Sequence, residues 1–336
     1  YDIDDIRLEE ISVPAVGPDD VLVKMQACGI CGSDVMNWYV RKKAPVFMGH
    51  EPAGVIVEVG AHVEDFQIGD RVFVHHHAPC FDCKYCRKGQ YSLCPVWKAS
   101  HIEPGGLAEY FRVPAQNLHG DTLKLPARLS FEDGVLIEPL ACVVKSLKRA
   151  RLTSGDRMLV LGLGVMGQMH ILLAKHQGAK QIIGVDCVPF RLEKAMKFGA
   201  DATIDFKNEP VVEKLREVTR GEMADVVIVC PDSIDAMRMG IECAGKGATV
   251  LLFTPAPEDQ TLAIQPFRLY FDEIDLICSY SCGPVDTREA LQLIESGVVT
   301  ANKLVTHRFS LNKCDQAFEV VRRGNSSLKV IVLNDN

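Results

Sequence analysis

At 336 residues the chain exceeds one ordinary hydrophobic core, so two domains are expected. It is 47% hydrophobic and 24% charged, as globular proteins are, and no apolar run reaches the roughly 18 residues that span a bilayer. A formal charge of −7 with no offsetting basic block argues against a nucleic-acid partner. Thirteen cysteines, several two residues apart, point to metal chemistry in a reducing compartment more than to a disulfide framework. The cytoplasm is the expected location. No secretory signal is recognisable, and a first residue of Tyr1 in place of methionine reads as an N-terminus either trimmed or not represented in full.

Residues 1–24 read as short strands, Ile6–Leu8 and Val21–Lys24, broken by Pro14, Gly17 and Pro18. Next comes Cys28-Gly-Ile-Cys31-Gly-Ser33-Asp34 and, after a polar, aromatic segment, Gly49-His50-Glu51. The thiolate of Cys31, the imidazole of His50 and a carboxylate form an ordinary ligand set for a catalytic zinc, with a fourth position open. The glycines at 29, 32 and 49 are read as tight turns beside the ligands. Ser33 stands two residues past Cys31, within reach of something held on the metal, and Asp34 would orient His50 through its free ring nitrogen. The β-branched runs Ala53–Val59 and Arg71–Val74 then read as strands of a barrel-like domain.

Cys80-x2-Cys83-x2-Cys86-x7-Cys94 follows. Four cysteines wrap one tetrahedral zinc and leave nothing for a substrate, so this site is read as structural, with Lys84, Arg87 and Lys88 offsetting its negative charge. The run His75-His76-His77 stays unassigned. Residues 104–113 return to strand. Glu138, in Ile137-Glu138-Pro139-Leu140, is a carboxylate in an apolar helical context and needs a partner, for which the zinc is the candidate.

From Arg157 strands and helices alternate. The apolar strand Met158–Leu161 meets Gly162-Leu163-Gly164-Val165-Met166-Gly167, which opens a helix to about Gln177, and a second strand, Gln181–Val185, ends on Asp186, nineteen residues past the third glycine. Strand, glycines, helix and acid together predict a dinucleotide site: backbone against the pyrophosphate, helix amides on its charge, Asp186 on a ribose hydroxyl. Arg191, five residues on, offers a stacking or phosphate partner. Further strands are expected at 202–206, 224–230, 248–254 and 275–281, with helices at about 209–220 and 233–243. Helices at 287–296 and 313–323 and a closing strand at 329–333 end the chain.

These residues, together with the four-cysteine lobe, resemble the zinc-dependent medium-chain dehydrogenase/reductase family, in particular its polyol and threonine dehydrogenase branch. The resemblance implies an α/β chain in which a doubly wound Rossmann sheet (151–284) is flanked by a strand-rich, GroES-like catalytic domain (1–150 and 285–336). It implies a cleft between the two where nicotinamide meets the catalytic zinc, one catalytic and one structural Zn2+, NAD, and a homodimer or homotetramer with 275–281 as the paired sheet edge. It places Glu51 on or near the catalytic metal, with Glu138 bound directly or through water. Zinc with Cys31, His50 and one glutamate is formally neutral, so the second carboxylate is expected to be labile.

One departure from the family stands out: Met36 holds the place where many members carry the histidine that ends the proton relay. The relay through Ser33 must therefore end elsewhere, on water or the nicotinamide ribose, or on a histidine of the 75–77 run. The activity implied is hydride transfer between a small secondary alcohol or polyol and NAD. A redox-neutral epimerase or lyase with tightly held NAD carries the same motifs, and a non-catalytic relative would have no use for an open zinc position. Aromatics Trp38, Tyr39, Trp97 and Phe271 are candidates for lining the substrate cleft.

Overall fold

A computed structural model describes residues 5–334; Tyr1 lies outside the described residues. Two compact units emerge among the described residues, one of residues 5–141 and 282–334, the other of residues 142–281. The expected boundary at 150/151 falls instead at 141/142, inside the helix Ile137–Ala150, and that at 284/285 falls at 281/282.

The first unit is built on one long strand, β1 (Val21–Ile30), whose Val21, Val23, Met25 and Ala27 are fully buried. Along its whole length β1 pairs antiparallel with β2 (Glu51–Val59), which in turn pairs with β3 (Arg71–Val74). Its other edge changes partner midway. Residues 21–24 pair with β4 (Tyr110–Val113). Register shifts against β2 then bend the strand, and residues 27–30 pair with the closing strand. A short strand, β5 (Thr122–Lys124), covers β3. The core behind β1 gathers Val21, Val23, Met25, Ile30, Ile56, Phe111 and Phe318.

The second unit is a six-stranded parallel sheet. In chain order the strands are β6 (Arg157–Leu161), β7 (Gln181–Asp186), β8 (Ala202–Asp205), β9 (Ala224–Val229), β10 (Ala244–Leu252) and β11 (Asp275–Cys278). In space the order is β11-β10-β9-β6-β7-β8, the doubly wound arrangement with its reversal between β6 and β9. The central strands are nearly continuous apolar runs, which a sheet covered by helices on its faces demands. The last two strands, β12 (Val305–Ser310) and β13 (Lys329–Leu333), belong to the first unit and pair parallel to each other.

Several expectations change. Residues 6–8 form no strand; Leu8 is exposed and finds no partner edge. The 104–113 stretch is a strand only from Tyr110. The strand expected at 248–254 begins at Ala244 and ends at Leu252, and that at 275–281 stops at Cys278. β12 and the helices Asn37–Lys43 and Pro266–Phe271 were not anticipated.

Candidate active site and metal centres

Cys31 follows the last residue of β1 and caps a short 3-10 helix, Gly32–Val35. Asp34 in that turn accepts a hydrogen bond from the Cys31 amide at 3.0 Å, which fixes the loop. Its other carboxylate oxygen lies 3.4 Å from His50 Nδ1, so the second ring nitrogen is left for another partner. His50 precedes β2, after Gly49, whose φ of +97° suits glycine and whose missing Cβ would strike the Leu107 amide. Burial works against a charged His50, but Asp34 and Cys31 outweigh it and hold its pKa well above the ordinary value.

Glu51 opens β2 and is fully buried. It forms an ion pair with Lys329 of β13, also fully buried, whose Nζ donates to the Ile30 carbonyl at 3.0 Å. Room for this pair comes from Gly29, whose Cβ would collide with the Glu51 carboxylate and press on the Lys329 side chain. Gly29 therefore lies in a strand and provides space, where a turn was expected. Burial lowers the Lys329 pKa, yet the charges of Glu51 and Cys31 outweigh it, so the ammonium persists. Burial raises that of Glu51, and Lys329 and His50 oppose this.

Cys31, His50 and Glu51 bring a sulfur, a nitrogen and an oxygen within 4.8 Å of one another. That donor set suits zinc. Lys329 takes up Glu51 Oε2, whereas Oε1 finds no hydrogen-bond partner among the described residues and is the oxygen left to face a cation. Glu138 is not in this group; its carboxylate clusters with His75 and Cys282, although its charge is felt by both Glu51 and Lys329. Ser33 and Met36 are half-buried in and just after the Cys31 turn.

Cys80, Cys83, Cys86 and Cys94 form the second group. Their closest sulfur–sulfur separations are 3.6, 3.6 and 3.9 Å. A tetrahedron with zinc–sulfur bonds of about 2.3 Å has edges of about 3.8 Å, so the lobe already has the dimensions of a zinc–tetrathiolate. Amides of Cys83 and Cys80 donate to the sulfurs of Cys80 and Cys94 at 3.3 and 3.4 Å. Arg87, expected to offset the thiolate charge, pairs instead with Asp82 at 2.9 Å. Burial and the neighbouring thiols push the Cys86 pKa up to about 12, so without a cation the lobe keeps a proton there; metal binding would displace it. Trp97 is 1% exposed and packs on these cysteines, which makes it core of the lobe.

In the second unit the three glycines differ in what they do. Gly162 turns the chain after β6 with φ +84°. A Cβ on Gly167 would strike the Gly162 carbonyl, so the helix Val165–His176 sits against the turn only without one. A Cβ on Gly164 would meet nothing, which leaves open space before the amides of Val165 and Met166: the cradle a pyrophosphate needs. Asp186, 5% exposed, accepts from the Leu163 amide at 2.8 Å and from the Cys187 and Val188 amides at 2.7 and 2.9 Å. Arg191 lies 3.5 Å from it. The acid thus also ties the glycine turn to the end of β7.

Three comparisons bear on this arrangement. Residues 17–126 match the alcohol dehydrogenase GroES-like domain, and residues 165–296 match the zinc-binding dehydrogenase domain. A sorbitol dehydrogenase of Bombyx mori is 33% identical over 98% of this chain and 95% of its own. The chain belongs to the zinc-binding alcohol dehydrogenase family. Among solved structures, 2R,3R-butanediol dehydrogenase of Bacillus subtilis superposes with a TM-score of 0.86 at 28% identity, covering 99% of this chain and 97% of that one. A Sinorhizobium meliloti structure described as a zinc-binding dehydrogenase, bound to NADP, gives a TM-score of 0.88 at 29% identity, covering 98% and 96%. The α/β class with its Rossmann sheet and strand-rich partner is therefore that of the family.

Lys329, Cys282 and Asp121 escaped the sequence reading, and His75 stood in it only within an unassigned histidine run. For Lys329 the signal was present: a lysine inside the apolar run Leu328–Leu333 must find a charge.

Proposed function

We propose that this chain is a zinc-dependent dehydrogenase transferring a hydride between a secondary alcohol or polyol and NAD. The observation that carries it is the Cys31, His50 and Glu51 group beside Ser33, together with the open cradle at Gly164. The first unit takes the zinc chemistry and the second binds the dinucleotide. Cys31 and His50 would hold the catalytic ion, which supplies Lewis-acid polarisation of an alcohol oxygen when bound. Asp34 fixes the His50 ring, Lys329 neutralises Glu51, and Ser33 receives the hydroxyl proton. Met36 cannot pass that proton on, so it leaves through water or the nicotinamide ribose.

Sorbitol and butanediol in the names of relatives point to vicinal diols and polyols as the substrate class. Asp186 at the end of β7 favours a ribose hydroxyl over a 2′-phosphate, hence NAD over NADP. β11, at one edge of the parallel sheet, is the edge through which two copies would pair into a dimer or tetramer. A cytoplasmic location fits the free cysteines. No helix among the described residues is long and apolar enough to cross a membrane.

The test is NADH formation by zinc-loaded protein with polyols, vicinal diols and amino alcohols. Turnover with at least one is expected; none with any class would sink the reading. Equal kcat/KM for NAD and NADP would remove the cofactor assignment alone. Ser33→Ala is expected to lower kcat by about 10²–10⁴ while zinc content stays unchanged.

A further inference from the structure

The histidine run after β3 holds one imidazole that nothing described so far uses. His75 Nδ1 is taken by Asp121 at 2.7 Å. His77 Nδ1 donates to the Ser100 carbonyl, and its ring lies on Trp97 with 4.2 Å between centroids. His76, between the two, makes no hydrogen bond among the described residues. Its Nδ1 is shut away from solvent without a partner, whereas Nε2 is on the side that this half-buried residue leaves open. The ring is nonetheless held firmly. Its centroid is 4.0 Å from that of His77 and 5.1 Å from that of His50, a member of the Cys31, His50 and Glu51 group.

This placement fixes the tautomer. A proton on Nδ1 would be a buried donor with no acceptor, and buried orphan N–H groups are rarer than orphan acceptors. The lone pair therefore takes Nδ1, and Nε2 carries the single proton of a neutral ring. His76 thus presents one pre-oriented hydrogen-bond donor beside the ring of His50. A molecule held by one oxygen at the Cys31, His50 and Glu51 group has this donor at its flank. The donor stands behind the ligands, so the next oxygen along the molecule is the one it meets.

We propose that His76 is a specificity-determining residue of this site: its Nε2–H donates to the hydroxyl next to the one being oxidised. The inference rests on the dehydrogenase reading above and assigns its diol preference to a residue. A vicinal diol or polyol satisfies the donor. A monohydric alcohol sets a hydrocarbon group against it and leaves it unpaired, which is how a polar site rejects an analogue that lacks one hydroxyl. His77, anchored by Ser100 and backed by Trp97, keeps the imidazole from turning away.

Initial rates with NAD and a matched pair, 2R,3R-butanediol and 2-butanol, test this in zinc-loaded protein. Wild type is expected to favour the diol in kcat/KM. His76→Phe keeps an aromatic ring against His50 and His77 but has no nitrogen. It should shrink the preference about 10-fold, with the loss appearing in KM for the diol. His76→Gln, whose amide nitrogen takes the place of Nε2, should restore most of it. A preference absent from wild type, or identical in His76→Phe, would overturn the inference while oxidation of the pair leaves the dehydrogenase reading intact. Failure to oxidise either alcohol overturns it as well, and the reading falls with it only if the wider set of alcohols also fails. Where His76→Phe yields no folded protein, the ring-nitrogen NMR resonances of wild type with NADH decide. A protonated Nε2 that shifts with the diol and not with 2-butanol is expected; the same response to both would refute the assignment.

Discussion

A lysine held at zero exposure inside a closing strand is there for its charge, and Lys329 meets Glu51 and the carbonyl just before Cys31. Removing one member of a buried ion pair strands the other, a loss of about 3–5 kcal/mol. Glu51 also faces the metal group, so a bound cation would stand in for the missing ammonium. Lys329→Met is therefore expected to lose about 3–5 kcal/mol of stability in chelated protein and much less when zinc-loaded. Both tryptophans, Trp38 and Trp97, lie in the first unit, so their fluorescence in urea reads the relevant transition. Equal losses with and without zinc would show that Glu51 does not answer to the metal. The candidate ligands were legible because Cys31, His50, Glu51 and the four cysteines announce their chemistry by type and short spacing, and the structure gathers them into two groups. Lys329, Asp121 and Cys282 were not, because each acquires meaning only from a partner far along the chain, and a single sequence does not say who meets whom.

At the scale of elements, the turn from β6 into the helix Val165–His176 separates folding from binding. Gly164→Ala meets nothing in the folded protein, so its melting temperature should match wild type while NAD affinity falls. Gly167→Ala drives a methyl into the Gly162 carbonyl and should lower the melting temperature itself. Calorimetry and NAD titration of both variants check this; matching phenotypes would mean that the open space before Gly164 is not the pyrophosphate cradle.

The same helix carries a pH dependence. His170 is buried, with Nε2 2.7 Å from Ser146 Oγ and Nδ1 2.8 Å from the Met166 carbonyl, and burial lowers its pKa to about 4. The unfolded chain takes up a proton near 6.5, the folded one only near 4, so protons favour unfolding in that window. Its contribution, about 3 kcal/mol, is present above pH 6.5 and lost as pH falls to 4. Protection of β6 and β9 amides, corrected for intrinsic exchange, should fall less steeply over that range in His170→Gln than in wild type.

The parallel strands were readable as elements because burial on both faces leaves uninterrupted β-branched runs. β12, Val-Thr-His-Arg-Phe-Ser, mixes polar residues along a half-exposed strand and reads as loop. The helix Pro266–Phe271 buries none of its residues, so no apolar stripe marks it; Phe271, expected near the substrate, is 65% exposed on it.

For the whole molecule, every metal-ligand group found among the described residues belongs to the first unit. A strong chelator should therefore lower the urea midpoint seen by tryptophan fluorescence while amide protection of β6, β7 and β9 persists. Loss of protection in both together would show that the two units unfold as one.

The pairing of β1 with β13 also dictates an order of events during synthesis. Glu51 leaves the ribosome about 280 residues before Lys329. At roughly 5–20 residues per second, that is on the order of tens of seconds during which the carboxylate has no lysine. The whole of the parallel sheet is translated within that interval and completes its own strands from contiguous chain. The nascent first unit, its β1 edge open and its acid unpaired, waits as an aggregation-prone half-barrel until the last strand emerges. Chaperone dependence in this protein should thus concentrate on the first unit, and a metal ion loaded before release would be the first cation Glu51 meets.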